Sequence, residues 1–454
     1  MLSKPLGVSL RFCEPDAKFF FVAFWARYGA EAPKPSSLKQ LAEELRLSAQ
    51  AVSKAVAQLV EMAVLRVVTQ PEGKGRPKCA YSVSKSVQVE LREVEERELI
   101  HLDLIEQVLG GERIRAIWPG WTSDPQVASE PRARLQGEKR VAPVRTGQLS
   151  LANRLLLMIL LSRADPFGIV RGLSSKEICL LTGMDGAALK QRLRRLTELG
   201  FIRRQIPGVA SPIFTEKLKS IYLLNLNHLQ LSPDRDVVCT AVHQGFDDPA
   251  IDCKFMPSVR FDRDSFLKRL EHLTPVSVLR LLRRAPNHVF DQLEFFICDC
   301  VSGFLSRCWV EADPVSWRKK VRGVDVTVKE RVVAFFRVPM FDPKGKPVLD
   351  HDEIVDFFQR LMFDLADEFV RRFSQLLTVS FAEARYILVP AHMPIGHQCI
   401  ALLILRSAGS DIANHWTITK GVGEPVVTCV SREVDIPLEL REKSGLLTSA
   451  RAPE

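Results

Sequence analysis

Two short stretches of the chain carry amide, hydroxyl and cationic side chains at the three- and four-residue spacing that places side chains on one face of a helix. The polar faces consist of Gln50, Ser53, Lys54 and Gln58 in the first stretch and of Lys190, Gln191, Arg194 and Arg195 in the second. Amide side chains pair with adenine edges, and guanidinium groups pair with guanine edges or phosphates. The faces therefore indicate contact with duplex DNA, in which the first face reads bases and the more basic second face holds phosphate.

Both stretches belong to a hydrophobic pattern that occurs twice, with a constant offset of 137 residues that pairs Leu59 with Leu196. The copies run over Leu38–Val68 and Ser175–Gln205, and no gap is needed to align them. Each copy predicts a short helix, a tight turn, a second helix and a strand. This is the order of the helix-turn-helix in a winged-helix domain, whose second helix enters the major groove.

Residues that start helices stand where this pattern requires them. Ser48 precedes the second helix of copy one as an N-cap, and Asp185 does so in copy two. Ser174 and Glu177 have the spacing of a capping box at the first helix of copy two. These signals predict the same helix boundaries as the hydrophobic spacing.

Strand patterns follow the second helix in both copies. In copy one, strands over Val64–Gln70 and Cys79–Val83 flank a tip rich in glycine and proline. The tip carries the cations Lys74, Arg76 and Lys78. Such a tip reaches phosphates or the minor groove, although an ordinary solvated hairpin has the same pattern. In copy two, Arg203 begins the strand and is predicted to contact DNA, and a short wing over Pro207–Phe214 returns near Phe214.

A set of motifs in copy one carries a family resemblance, and these motifs are Leu41-Ala42, Leu45, Leu47-Ser48, Val52-Ser53, Leu59-Val60-Glu61 and Gly75-Arg76-Pro77. Over about residues 15–85 the chain resembles the MarR-like winged-helix family, which often has glycine in the turn where Arg46 stands. The resemblance implies that the groove-facing residues are Gln50, Ser53, Lys54 and Gln58 and that the wing-tip residues are Lys74, Arg76 and Lys78. The second copy resembles winged helices in general, including those of transcription regulators and plasmid replication initiators. No resemblance covers the C-terminal region.

These patterns predict an α+β protein with two tandem winged-helix domains followed by a C-terminal α+β domain. The first domain spans residues 1–109 and ends in a charged helix over Ser86–Leu109, which either pairs two protomers or packs back on its own domain. A linker rich in proline and glycine spans 110–147, the second winged-helix domain spans 148–230, and the C-terminal domain spans 231–454.

The C-terminal domain mixes helical and strand patterns. Helices are predicted over Asp264–Leu273, Pro275–Arg284, Phe290–Val310 and Asp352–Leu377, and strands over Val324–Val338, Arg385–Pro390, Gln398–Arg406 and Asn414–Lys420. The residues from about Glu442 onward are expected to fray. We expect this domain to assemble the protein, sense a ligand or recruit a protein partner.

No group of residues predicts catalysis, a metal or a cofactor. Cys298, Cys300 and Cys308 lie in an apolar helix and are interpreted as buried thiols, because a zinc site usually needs four ligands at paired spacing. The acidic residues from Asp350 to Glu353 are interpreted as a helix start, where negative charge complements the dipole. The chain is therefore not expected to be an enzyme.

The charge of the chain is unevenly distributed. The 454 residues carry a formal net charge of +9, of which residues 1–231 contribute +11 and residues 232–454 contribute −2. A basic half that contains the repeat indicates a polyanionic partner. Ten cysteines in a chain of this length do not form a disulfide framework, and no apolar run approaches the roughly 20 residues that span a bilayer. We expect a cytoplasmic protein without membrane contact, with double-stranded DNA as partner and with homodimer formation if the trailing helix pairs protomers.

Three functions remain compatible with the sequence. The first is transcription regulation through DNA binding. The second is replication initiation or maintenance of a plasmid or integrative element, in which the two modules hold repeated sites. The third is an adaptor whose winged helices dock proteins without binding DNA.

Overall fold

The computed structural model describes most of the chain. The described residues are 2–10, 13–29, 37–70, 78–111, 114, 147–233, 236–244, 274–308, 327–336, 350–373, 384–390, 399–405, 415–419 and 425–447. Contacts between residues divide the chain into two compact units. Unit 1 comprises Met1–Ile202 and Leu223–Pro233, and unit 2 comprises Arg203–Tyr222 and Asp234–Glu454. Helices and strands occur together, so the α+β class is confirmed.

Unit 1 is mainly helical. Its elements are α1 Ser3–Gly7, α2 Pro15–Tyr28, α3 Leu38–Glu44, α4 Ala49–Glu61, β1 Leu65–Gln70, β2 Lys78–Val83, α5 Lys85–Glu93, α6 Leu102–Gly110, α7 Leu151–Leu161, β3 Ile169–Val170, α8 Ser175–Thr182 and α9 Gly186–Glu198. Copy one and residues 175–202 of copy two fall within this one unit, whereas residues 203–205 belong to unit 2. Apart from residues 110, 111, 114 and 147, the predicted linker lies outside the described residues.

Side-chain caps start the repeated helices where the sequence predicted them. The Ser48 side chain accepts a hydrogen bond from the amide of Ala51 at the start of α4. The capping box of Ser174 and Glu177 starts α8, and Asp185 caps α9 by accepting from the amide of Ala188. The cap predictions are therefore confirmed, since each satisfies an amide that the first helical turn leaves unbonded.

Left-handed backbone occurs at equivalent places in the two copies. Arg46 has φ 55° in the turn between α3 and α4, and Gly183, 137 positions on, has φ 75° between α8 and α9. Ala63 and Gly200, the residues that follow the second helix, have φ 54° and 80°. Glycine adopts this conformation without strain, whereas arginine and alanine do not. The backbone of copy one is therefore strained at two positions where that of copy two is not.

Helices α2 and α7, which precede the two copies, pack against each other. The buried Arg154 of α7 stacks on the ring of Phe19 in α2 at 4.5 Å and donates to the carbonyls of Val108 and Leu109 at the end of α6. Burial lowers the pKa of Arg154 to about 10. Because α4 packs on α2 and α9 packs on α7, this helix pair holds the two copies together.

A second buried cation lies in α2. Lys18 is 1% exposed and donates to the carbonyl of Val8 at 2.6 Å. Burial lowers its pKa from 10.5 to about 7. Between these values the unfolded chain binds a proton that the folded chain does not, so this residue makes stability rise with pH.

We therefore predict that Lys18→Met flattens the stability curve between pH 7 and 10. The contribution to remove is about 1.4 kcal/mol per pH unit inside that window. Urea unfolding of both proteins at several pH values measures it, and parallel curves for wild type and variant would contradict the prediction.

The structure corrects two predictions in the region of the repeat. The helix predicted over Ser86–Leu109 is two helices, α5 and α6, because four consecutive charged residues after Val94 interrupt the apolar spacing. Helix α6 packs on α7 of its own unit. The strand that begins at Ile202 is followed by one that begins at Ile221, so the return of the wing predicted near Phe214 is wrong.

The chain passes from unit 1 to unit 2 within β4 Ile202–Ile206 and returns to unit 1 within β5 Ile221–Leu224. These two strands and β3 form a three-stranded sheet of order β3-β5-β4. The further elements of unit 2 are β6 Cys239–Gln244, α10 Val276–Arg284, α11 Asn287–Cys308, α12 over residues 327–335, α13 His351–Phe373, β7 Arg385–Val389, β8 Cys399–Leu405, β9 His415–Thr419, β10 Val426–Val430, a 3-10 turn Glu433–Asp435 and α14 Leu438–Lys443.

A five-stranded sheet of order β10-β9-β6-β8-β7 forms the centre of unit 2. Neighbouring strands are antiparallel except for the parallel pair β6 and β9. Helices α11 and α13 pack on each other, α11 packs on β7, and both helices supply much of the apolar core.

Several C-terminal predictions agree with this structure and several do not. The helices α10, α11 and α13 and the strands β7, β8 and β9 are confirmed within a few residues. The strand predicted over Val324–Val338 is wrong, since residues 327–335 are helical. The predicted fraying from Glu442 is also wrong up to Leu447, which is buried. The helix predicted over Asp264–Leu273 lies outside the described residues.

No helix within the described part of the chain has the length and apolar composition needed to cross a membrane.

Candidate nucleic-acid interface

Helix α4 separates an apolar face from a polar one. Its buried residues are Val52, Ala55, Val56 and Leu59. Of the predicted contacts, Gln50, Ser53 and Lys54 are exposed and Gln58 is half-buried. The polar face predicted for copy one is therefore open to a partner along most of its length.

Helix α9 has the same division. Leu189, Leu193 and Leu196 are buried. The predicted contacts Lys190, Gln191 and Arg194 are exposed, and Arg195 is half-buried. This face is the more basic of the two, as its sequence predicted.

Helices α4 and α9 each contact the N-terminal end of the helix that precedes their copy. Lys54 Nζ lies 2.7 Å from Glu14 Oε2 at the N-cap of α2, and this ion pair raises the pKa of Lys54. Arg192 Nη1 donates to Ser150 Oγ, the N-cap of α7, at 3.1 Å. The second helix of each copy thus has a side-chain contact with the N-cap residue of the helix that precedes its copy.

The turn before α9 lies directly against the residues that precede α2. A Cβ atom built on Gly183 would come 1.8 Å from the carbonyl oxygen of Cys13 and 3.7 Å from the carbonyl carbon of Glu14. Glu14 is also the partner of Lys54 in α4. One short segment therefore contacts both copies close to their predicted DNA-binding helices.

The hairpin of copy one is exposed along β1. Arg66, Val67 and Val68 are all exposed, although side chains alternate between the faces of a strand. The register runs from Leu65 opposite Val83 to Gln70 opposite Lys78. The predicted tip residues Lys74 and Arg76, and the side chain of Lys78, lie outside the described residues.

Arg203 is a correction to the predicted interface. Its side chain is 2% exposed and forms two hydrogen bonds, of 2.5 and 2.7 Å, with the carboxylate of Glu433 inside unit 2. It also donates to the carbonyl of Leu446 at 2.9 Å. A guanidinium that is buried and neutralised in this way cannot reach a DNA phosphate. The neighbouring Arg204 is also buried, and it bonds to Glu294 at 2.9 Å.

No group of metal-binding side chains large enough to hold an ion occurs in the described ranges. Cys298 and Cys300 lie in α11, and burial raises the pKa of both thiols, that of Cys300 to about 12. Protonated thiols are poor nucleophiles and poor metal ligands.

Sequence reasoning missed two acidic residues beside the predicted DNA faces. Glu198 pairs with Arg194 and Arg195, a contact that the four- and three-residue spacing on one helix could have indicated. Glu14 is 40 positions from Lys54 in sequence, and only the packing of α4 on α2 brings them together.

No protein-family model, curated protein or solved structure matches the chain. The MarR-like resemblance of copy one stays a prediction that rests on its motifs.

Proposed function

We propose that this chain binds double-stranded DNA through two winged-helix modules and acts as a transcription regulator. In this proposal α4 and α9 are the major-groove helices. The observation that carries it is the pair of exposed polar faces, which occur on the second helix of both copies of one repeated pattern. The net charge of +11 in residues 1–231 supports a polyanionic partner for the same region.

The packing of the two copies supports a single DNA-binding body. Because α2 packs on α7 and each recognition helix packs on one of them, α4 and α9 do not depend on a flexible tether for their relative placement. Binding of one helix to DNA then positions the other without a further loss of chain entropy.

The charge of the α9 face provides a direct test. We predict that Arg194→Ala with Arg195→Ala lowers affinity about tenfold or more for every duplex sequence, because phosphate contacts carry no sequence information. The slope of log affinity against log salt should become shallower by about one, because Glu198 already neutralises part of the charge of the two arginines. Fluorescence anisotropy at several salt concentrations measures both.

The matched control for this test removes two exposed arginines of unit 2, Arg360 and Arg385. It causes the same loss of charge outside unit 1 and should leave the salt slope unchanged. Equal slopes for wild type and the Arg194/Arg195 variant would contradict the proposed role of α9.

Selection of bound sites from random duplexes, followed by footprinting, distinguishes the biological roles. Sites beside promoters support the regulator. Binding to iterated repeats, with loss of copy number of the element when the chain is deleted, favours a replication initiator. Absence of a salt-sensitive affinity for DNA favours the protein-docking adaptor.

A further inference from the structure

The predicted DNA faces of unit 1 are partly neutralised by the protein itself. The structure describes the side chains of four predicted contact cations there, Lys54, Lys190, Arg194 and Arg195. Lys54 is paired with Glu14, and both arginines are paired with Glu198. Only Lys190 of these four has no carboxylate partner in the described part of the chain.

One carboxylate serves both arginines of α9. Arg194 Nε lies 2.9 Å from Glu198 Oε1, and Arg195 Nη1 lies 3.5 Å from Glu198 Oε2. The Arg194 side chain is 74% exposed, whereas that of Glu198 is 31% exposed. The carboxylate is the least exposed member of the group, and an approaching phosphate must compete with it for the guanidinium donors.

The ion pair between Lys54 of α4 and Glu14 is also exposed to solvent. Lys54 and Glu14 are 70% and 51% exposed, so both remain within reach of a molecule bound along the helix. Exposed ion pairs contribute little to stability, since solvent screens them. Neither pair is needed to hold the helices in place, because the buried apolar residues of α4 and α9 do so.

We propose that Glu14 and Glu198 act as affinity-limiting residues of the DNA interface, which rests on the function proposed above. Each carboxylate occupies the cations that would otherwise bind any phosphate, and each repels the DNA backbone. Non-specific binding depends almost wholly on phosphate contacts. Binding to a specific site depends less on phosphate contacts, because its bases also bond to Gln50, Ser53 and Gln191. The two acidic residues therefore raise the preference for specific sites.

The duplication supplies a matched control at Glu61. This residue occupies the position of copy one that corresponds to Glu198, but Ala57 and Gln58 stand where copy two has its arginines. Glu61 is exposed, and no cation pairs with it within the residues that the structure describes. Its replacement therefore removes the same charge from the equivalent helix end without releasing an arginine.

The test measures binding of the full chain to a random-sequence duplex of about 30 base pairs, roughly three helical turns. We expect Glu14→Gln with Glu198→Gln to bind about tenfold more tightly than wild type, with a salt slope steeper by about one, because the three cations are only partly available to phosphate in the wild type. Glu61→Gln should change affinity no more than about twofold. Circular dichroism checks that each variant keeps its helices.

Two outcomes overturn the inference while the proposed function stands. In one, wild type binds with a salt-dependent affinity that the double variant shares, so the carboxylates do not limit binding. In the other, the double variant binds more weakly, so the carboxylates position the cations for DNA. If neither wild type nor any variant binds DNA, the proposed function itself is wrong and the inference fails with it.

Discussion

Replacing Arg203 with leucine is expected to lower the free energy of unfolding by about 3–5 kcal/mol. The arginine and its partner Glu433 are 2% and 5% exposed, so removal of the guanidinium leaves a carboxylate buried without its countercharge. Glu433 also accepts from Thr240 Oγ1 at 2.9 Å, and its amide donates to Asp236. The substitution therefore disturbs a network that joins β4, β6 and the segment before α14.

Urea unfolding followed by circular dichroism measures this loss. The matched control is Arg203→Leu combined with Glu433→Leu, which removes both charges and should recover much of the stability, because two apolar side chains leave no unpaired ion. A loss below about 1 kcal/mol in the single variant, as for an exposed arginine, would contradict the burial of this pair.

The same variant separates the two roles considered for Arg203. A DNA contact would make the salt slope of binding shallower, whereas a structural ion pair lowers stability and leaves the slope unchanged. We expect the second result at temperatures where the variant stays folded.

Replacing Gly183 with alanine is the second change of large expected effect. The new Cβ would lie 1.8 Å from the carbonyl oxygen of Cys13, and the backbone there has φ 75°. The backbone must move to relieve this contact, and alanine is strained in the left-handed conformation. Together these effects are expected to lower the free energy of unfolding by about 2–5 kcal/mol.

The reciprocal change at the equivalent position of copy one is expected to raise the free energy of unfolding. Arg46 adopts φ 55°, so Arg46→Gly relieves strain and should stabilise the chain by about 0.5–1 kcal/mol. Thermal unfolding of both variants tests the pair together. If Gly183→Ala unfolds at the wild-type temperature, the close approach to Cys13 is not present in solution.

Much of the repeated region could be read from local sequence. Ser48, Ser174 and Asp185 cap helices as predicted, because a cap acts through amides two or three residues away. The apolar faces of α4 and α9 followed from helical spacing for the same reason: each depends on residues within a single helix.

The wrong predictions concern residues whose conformation or burial depends on contacts with residues distant in sequence. The pattern over Val324–Val338 predicted a strand, yet residues 327–335 form a helix whose Val328 and Val332, four positions apart, enter the core of unit 2. Arg203 stands beside a second arginine, which suggests a basic surface until the carboxylate of Glu433, 230 positions away in the sequence, is brought to it.

The sequence by itself determined the duplication, the boundaries and polar faces of α4 and α9, and the basic character of the first half of the chain. These properties depend on spacing of a few residues and on composition, which no folding is needed to reveal. Tertiary structure alone decided that α2 packs on α7, that Glu14 holds Lys54, and that Arg203 is buried instead of exposed. Such outcomes require groups far apart in the chain to meet, and the burial and charge pairing that result exist only after the core has formed.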